Sequence, residues 1–558
     1  MPAGSPRATG GSRSGREARA PAPYAPVVSD LSARGERWAV ATPHVAATEA
    51  AAHAFESGGN AIDAALAAAV TLAVVYPHMC GVGGDLFALV QRRDGDVIAV
   101  NSSGASPRGL DAESVRSEHS RMPERGPLAI TVPGAVAGWE AVHGQGGDLP
   151  WPDAFAAAIE HARAGVAVSR SLALTLAEAG GLLENDPGLG ALFLRDGAPL
   201  GPGDSFSNPA LARTLEALAA GGAGALYGGE IGRAYAEGLR RLGCPIAPED
   251  LAAHRAELLA PLVGRYRDLD VRVPPPTSQG FVLLELLGAL ERLGVDPDPL
   301  GPDAPTVALA SLVVARDRDL HLADPEHMRV HPHALLDDGH LAAICDQVRS
   351  GPLPRPQPSA SDTVGLVTAD AEGLAVSLIQ SLSWGLGAGI LEPSTGILAQ
   401  NRGSGFTLDP GHPNALAPAK RPAHTLMPVM AHRAGRLAAV SGTMGGAAHP
   451  QINAWSLVRA FDLGMDPASA VAAPRWLVNG MDPEGPEPFV LAEADVPDAV
   501  LDALRRAGFR LDLVGAGDEA VGHAHLIRAI GAFEGGTFEG GAFEAGTDPR
   551  ADGSARAG

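Results

Sequence analysis

Cysteine is scarce in this chain, and dense basic clusters, long apolar runs and a cleavable leader pattern are missing. Only three cysteines occur in 558 residues, Cys80, Cys244 and Cys345. They are far apart, odd in number and form no C-x-x-C pair, so neither a disulfide framework nor a thiolate metal site is indicated; all three are expected as buried thiols. Lys and Arg total 42 against 64 Asp and Glu, a net charge of −22. A polyanion partner needs clustered Lys and Arg, so this balance argues against nucleic acid and mainly serves solubility. The longest apolar stretch, residues 64–76, follows Asp63 and is shorter than the roughly 20 residues of a membrane span. It is expected as a buried helix. Residues 1–23 are rich in Gly, Ser, Arg, Pro and Ala and have no apolar h-region, so no secretory signal is expected and the chain is read as cytoplasmic.

Apolar residues make up 46% of the chain, enough for a large core. Residues 1–37 are expected as a disordered tail, and order should begin near Trp38, with residues 39–42 as a strand. Helical spacing runs from His44 through Glu56, breaks at Gly58-Gly59-Asn60 and restarts at Ala61. Gly81-Val82-Gly83-Gly84-Asp85 then lets the backbone turn into a strand over residues 86–90. It follows a helix instead of a strand, which argues against a dinucleotide loop. Further helical patterns cover residues 151–164, 169–183 and 209–218, making this an α/β chain. Residues 531–558 carry a Phe-Glu-Gly unit repeated every five residues, a period of neither helix nor strand, and are expected to be disordered.

The junction Asp362-Thr363 stands out. Residues 349–361 alternate prolines with small and polar residues; proline removes a backbone donor and fixes φ, so a linker is expected. Residues 363–369 and 374–381 then read as two strands around the loop Asp370-Ala371-Glu372-Gly373. With the loop centred between Ala371 and Glu372, antiparallel pairing sets Ser381 within about one position of Thr363. A slip of one residue would turn it to the other face. If the backbone is cut before Thr363, that residue carries both a hydroxyl nucleophile and an amine base. Without further context, a strand-initial threonine is simply a β-branched residue in a sheet, and Gly445-Gly446 is a turn before a helix. The group His321, His327, His331 and His333 matches no standard zinc spacing.

Several motifs together resemble the γ-glutamyltranspeptidase family. They are Ser57-Gly58-Gly59-Asn60-Ala61-Ile62-Asp63-Ala64-Ala65, Gly81-Val82-Gly83-Gly84, Val132-Pro133-Gly134-Ala135-Val136-Ala137-Gly138-Trp139 and Pro274-Pro275-Pro276-Thr277-Ser278-Gln279-Gly280. After the Thr363 hairpin come Gly396-Ile397-Leu398-Ala399-Gln400-Asn401-Arg402, Lys420-Arg421-Pro422 and Gly442-Thr443-Met444-Gly445-Gly446, in the family's order. The resemblance spans about residues 39–528. It implies an N-terminal nucleophile hydrolase with a four-layer αββα sandwich, made as a proenzyme. Self-cleavage between Asp362 and Thr363 would give a large subunit (38–362 after the tail) and a small subunit (363–530 before the tail). These form a heterodimer of one αββα domain, open to further pairing. It also implies Thr363 as nucleophile, Ser381 as the second hydroxyl beside it, and the N–H groups of Gly445 and Gly446 as the oxyanion hole. The chemistry calls for no cofactor or metal, a small-molecule substrate, and neither nucleic acid nor membrane.

The chain departs from the family around the acyl group. Ser103 stands where glutathione-cleaving members place an arginine for the α-carboxylate; Ser383 and Gly405 replace the asparagine and acid that hold the α-ammonium; His424-Thr425 replaces a Ser-Ser pair. Losing charge-assisted anchors costs a few kcal/mol of binding, so γ-glutamyl recognition is expected to be poor, with Arg402 available to an acid group arriving from another direction. Ser103, Ser383, Arg402, His424 and Thr425 are the candidate substrate-binding residues. The expectation is a self-processing threonine hydrolase cleaving an amide or acyl bond of a small molecule. A true γ-glutamyltransferase or glutathione hydrolase, a glutaryl- or oxalyl-type acylase, a C–C hydrolase of specialised metabolism and an inactive binding homologue stay open as alternatives.

Overall fold

The computed structural model describes residues 30–351, 354, 362–478, 488–534 and 537–558. Two seven-stranded sheets face each other. The first runs Ser554–Ala557, Trp38–Thr42, Asp362–Asp370, Ala375–Ser383, Asp85–Gln91, Val97–Ser102, Glu257–Leu259. The second runs Ser32–Gly35, Thr537–Thr547, His523–Glu534, Arg436–Met444, Val429–Arg433, Leu269–Val273, Leu262–Tyr266. All neighbours in both are antiparallel. Strand periodicity divides the side chains between layers. Along Asp362–Asp370, Val364 and Leu366 pack into a helical core, while Val367 and Ala369 join Met430, Val440, Ile527 and Phe543 between the sheets.

Helices close both outer faces, giving the αββα sandwich. On the first sheet lie Val45–Glu56 and Ala61–Val75, the latter buried on every side. Asn60 and Asp63 form a reciprocal capping box at its start, satisfying donors that a helix end leaves free. On the second sheet lie Gly280–Leu293, Ala304–His321 and His449–Phe461. Cys80, Cys244 and Cys345 are buried and free. Among the described residues, no helix is long and apolar enough to cross a membrane.

Three boundaries differ from the sequence reading. The helix Asp338–Ser350 takes in Arg349 and Ser350 and stops short of Pro352, where a helical N–H would be needed; residues 352–353 and 355–361 of the linker lie outside the described residues. In the expected N-terminal tail, Ser32–Gly35 already form a strand paired with residues 543–546, and residues 1–29 lie outside the described residues. The largest correction is the expected disordered tail at 531–558, which forms strands in both sheets. The five-residue period does not register the pairing with distant strands that orders this stretch. At Gly546 the strand lies so close to Pro467–Ala472 that a Cβ would stand 2.4 Å from Ala468 N, so glycine marks close backbone approach.

The same C-terminal stretch supplies Asp548 and Arg550 to a buried charge cluster. Asp548 lies 2.8 Å from Arg475 and 2.9 Å from Arg550, and Arg550 Nε donates to Glu493 at 2.8 Å. All four side chains are at most 1% exposed. Burial works against the charge on Asp548, but Arg475 and Arg550 outweigh it and hold its pKa down to about 2. Removing one partner from a buried pair costs about 3–5 kcal/mol. Asp548→Ala should therefore lower the urea-unfolding midpoint strongly at neutral pH, whereas Arg34→Ala, which removes an exposed partner of Glu544, should leave it nearly unmoved. Because the folded pKa is depressed, the Asp548 contribution is fully present above about pH 4. The gap between wild type and Asp548→Ala should narrow as pH falls from there toward 2.

Candidate active site

The hairpin puts Thr363 and Ser381 side by side. Pairs from Val364↔Gln380 to Ala369↔Ala375 centre the turn on Glu372, and a bulge between Asp362 and Val364 ends the ladder at Asp362↔Ser383. Thr363 Oγ1 lies 3.2 Å from Ser381 Oγ, and both residues are fully buried. Ser381 Oγ donates to the Asp362 carbonyl at 2.5 Å and accepts from Ser383 N at 2.8 Å and from Arg402 Nη2 at 3.2 Å. A hydroxyl has one proton and two lone pairs, so Thr363 and Arg402 compete for the second lone pair. The carbonyl that Ser381 polarises belongs to the Asp362-Thr363 bond itself. The Asp362 carboxylate accepts from Gly385 N at 2.6 Å, with its pKa raised by burial.

Gly445 and Gly446 close the Arg436–Met444 strand and lead into the helix His449–Phe461. Their φ values are 155° and 54°, which suit glycine alone, and a Cβ on Gly445 would stand 2.3 Å from Ile452 Cδ1. The Gly442–Thr443 backbone packs on Gly365, two residues past Thr363, close enough that a Cβ there would lie 2.6 Å from Thr443 N. The turn is thus delivered to the nucleophile's end of the hairpin. Neither Gly445 N–H nor Gly446 N–H has a hydrogen-bond partner among the described residues. Free N–H groups at a helix entrance suit a developing oxyanion. Gln279 fixes the turn from behind, donating to Gly446 O at 2.9 Å and to Thr425 O at 2.8 Å.

A cavity of about 1220 Å³ opens beside this group, its floor formed by Ser383, Trp384, Arg402, Gly405, His424 and Thr425. Arg402 is 3% exposed; it contacts Thr425 Oγ1 at 3.3 Å, and its Nε has no partner among the described residues. Burial, opposed by Asp85, lowers its pKa to about 10, leaving it charged at neutral pH, and among the described residues it makes no ion pair. Further out, Arg116, Arg121, Arg316 and Arg318 outnumber Glu124, Asp319 and Asp409 on the walls.

Of the candidate residues, the structure brings together Asp362, Thr363, Ser381 and Arg402 in direct contact, with Ser383, His424 and Thr425 on the cavity floor. Ser103 is the exception. It is buried, donates to Asn101 Oδ1 at 2.7 Å and lies 3.1 Å from Thr277 Oγ1, so its hydroxyl is spent on structure and it does not line the cavity. A serine is too short to reach where an arginine would.

Sequence reasoning missed Asp85 and His449. Asp85 is fully buried and accepts from Gly104 N at 3.0 Å, Gln400 Nε2 at 2.9 Å and His424 Nε2 at 3.1 Å. Burial raises its pKa to about 7, against the Gln400 hydrogen bond and Arg402. His424 is kept neutral, lowered by burial and then by Arg402; Leu426 N donates to its Nδ1, so Nε2 carries the proton. His449, lowered to about 3 by burial and Arg402, has its Nδ1 2.8 Å from Thr443 Oγ1. The signal for Asp85 was a carboxylate opening an otherwise apolar strand directly after a glycine turn.

Comparison with known proteins identifies the family. The profile of the gamma-glutamyltranspeptidase family matches residues 47–558. The chain is 37% identical to the oxamate amidohydrolase proenzyme of Klebsiella pneumoniae over 92% of its own length and 97% of that protein. It is 35% identical to the glutathione hydrolase-like YwrD proenzyme of Bacillus subtilis, covering 93% and 98%. Among solved structures, the cephalosporin acylase of Bacillus halodurans superposes with a TM-score of 0.86 at 30% identity, covering 97% of this chain and 98% of that one. This chain is therefore a hydrolase of the gamma-glutamyltranspeptidase family, with the N-terminal nucleophile fold.

Proposed function

We propose that the protein is a self-processing amidohydrolase that cleaves amides of short acyl groups bearing a free carboxylate, of which oxamate is the simplest. The observation that carries this is the position of Arg402. Its Nη2 is 3.2 Å from Ser381 Oγ, which is 3.2 Å from Thr363 Oγ1. A carboxylate held by Arg402 leaves room for only a short acyl chain before the carbonyl reaches the nucleophile. The 37% identity to an oxamate amidohydrolase proenzyme supports the same substrate class.

Processing begins when Thr363 Oγ1 attacks the Asp362 carbonyl carbon, with the Ser381 hydroxyl bonded to its oxygen. The C–N bond breaks to give an ester and the α-amine of Thr363; water then hydrolyses the ester and leaves a carboxylate on Asp362. In the mature enzyme that amine takes the hydroxyl proton as Thr363 attacks the substrate amide. The N–H groups of Gly445 and Gly446 hold the oxyanion, one such donor being worth about 2.7–4 kcal/mol. The proton passes to the leaving nitrogen, ammonia departs, and water releases the dicarboxylate from Thr363. γ-Glutamyl transfer is the second reading, favoured by the YwrD likeness; Ser383 and Gly405 offer no charge to an α-ammonium.

On an SDS gel with intact-mass analysis, wild type should give two pieces, one beginning at Thr363, and Thr363→Ala a single uncut chain. A wild type that stays whole would sink the processing step and leave an inert scaffold. Arg402→Gln should cut kcat/KM for oxamate by about 100-fold, as expected for a lost charge-assisted contact of 1.5–3 kcal/mol, while a neutral acyl anilide changes little. Turnover of γ-glutamyl-p-nitroanilide faster than oxamate would favour the second reading. With the amine as base, kcat/KM should rise with pH through about 7.7–8.0, the ordinary range of an α-amine, and level off above it.

A further inference from the structure

Behind the cavity wall, the helices Gly280–Leu293, Ala304–His321 and Asp338–Ser350 bring together Glu285, Asp317 and His340, with one ligand atom from each within 4.8 Å of the others. Glu285 is fully buried, and among the described residues neither carboxylate oxygen has a partner within ordinary hydrogen-bond geometry. His340 Nε2 lies 2.8 Å from Asp317 Oδ2 but 3.4 Å from Glu285 Oε1. One ring nitrogen carries at most one proton, and the shorter contact takes it. Glu285 therefore shares one imidazole with a second carboxylate at the longer distance of 3.4 Å, and among the described residues no other side chain donates to it, a costly arrangement for a buried acid. A divalent cation removes the conflict, because it accepts lone pairs from all three side chains at once and balances two carboxylates.

We propose that Glu285, Asp317 and His340 form a divalent-metal site, with Zn²⁺ as the ion their donor set favours. All-oxygen sets suit Mg²⁺ and Ca²⁺, whereas one imidazole nitrogen with two carboxylate oxygens suits zinc, with water completing the coordination. The site is structural, since none of the three side chains lines the cavity. It braces the cavity from outside: Asp317 directly precedes Arg318, which lines the wall and donates to Ala447 O at 3.3 Å, and Glu285 sits on the helix that begins after Gln279, the residue fixing the Gly446 turn. No sequence spacing announces the site, because each donor comes from a different helix.

The test is calorimetric titration of ZnCl₂ into EDTA-treated full-length protein, with thermal unfolding read with and without the metal. Wild type should take up one equivalent and unfold at a higher temperature when loaded. Glu285→Gln, nearly the same shape but uncharged, should bind at least about 100-fold more weakly, since even partners one step removed from a metal cost 10–100-fold. It should unfold metal-free no lower than wild type and lose the zinc-dependent rise; His340→Ala should lose it as well. The proposal is overturned if wild type takes up no equivalent. It is equally overturned if both variants bind as wild type does, as they would if the stacked pair His331 and His333 captured the ion.

Discussion

Everything at the active site depends on the pairing of Asp362–Asp370 with Ala375–Ser383. That register sets the Asp362 carbonyl and the Thr363 and Ser381 hydroxyls within one hydrogen-bonded cluster, and the bulge beside Asp362 lets the ladder end there. The pairing is held on both faces, by Ala61–Val75 on one side and the second sheet on the other. A slip of one residue would bury Gln380 between the sheets and turn Ser381 into the helical layer. Gln380 guards against this, since it donates to Ala69 O at 2.8 Å and accepts from Trp139 at 3.0 Å within that layer.

Electrostatics at the site follow from the same burial. Arg402, Asp85, His424 and His449 sit together with little solvent, and each is pushed toward its neutral form. The arginine resists most, because its ordinary value lies so high, and it remains the cation of a group in which both imidazoles are neutral. On the proposed function, recognition of an anionic acyl group rests on this one guanidinium, preorganised by packing next to the Thr363 and Ser381 hydroxyls.

Much of this was legible in sequence where the signal is local. The hairpin shows in its strand-like runs and loop, the Ala61 helix in the spacing that restarts after Gly58-Gly59-Asn60, and the Gly445-Gly446 turn in its dipeptide. Signals that depend on distant partners were not. Asp85 meets His424 across 339 positions, and nothing near either announces the other. Ser103 was placed by alignment of motifs, which fixes a position but not whether a shorter side chain still reaches the cavity. The C-terminal strands have a five-residue repeat that matches no strand period, and what makes them strands is pairing with distant partners and, at Gly546, close packing on Pro467–Ala472.

The sheet order has a consequence for the molecule's history. In the first sheet, Trp38–Thr42 lies between Ser554–Ala557 and Asp362–Asp370; in the second, Leu269–Val273 pairs with Val429–Arg433. Segments on either side of the Asp362-Thr363 bond are therefore woven through both sheets. If that bond is cut as proposed, the two chains stay joined by strand pairs that cross between them, and the buried hairpin that makes the cut exists only once both have folded together.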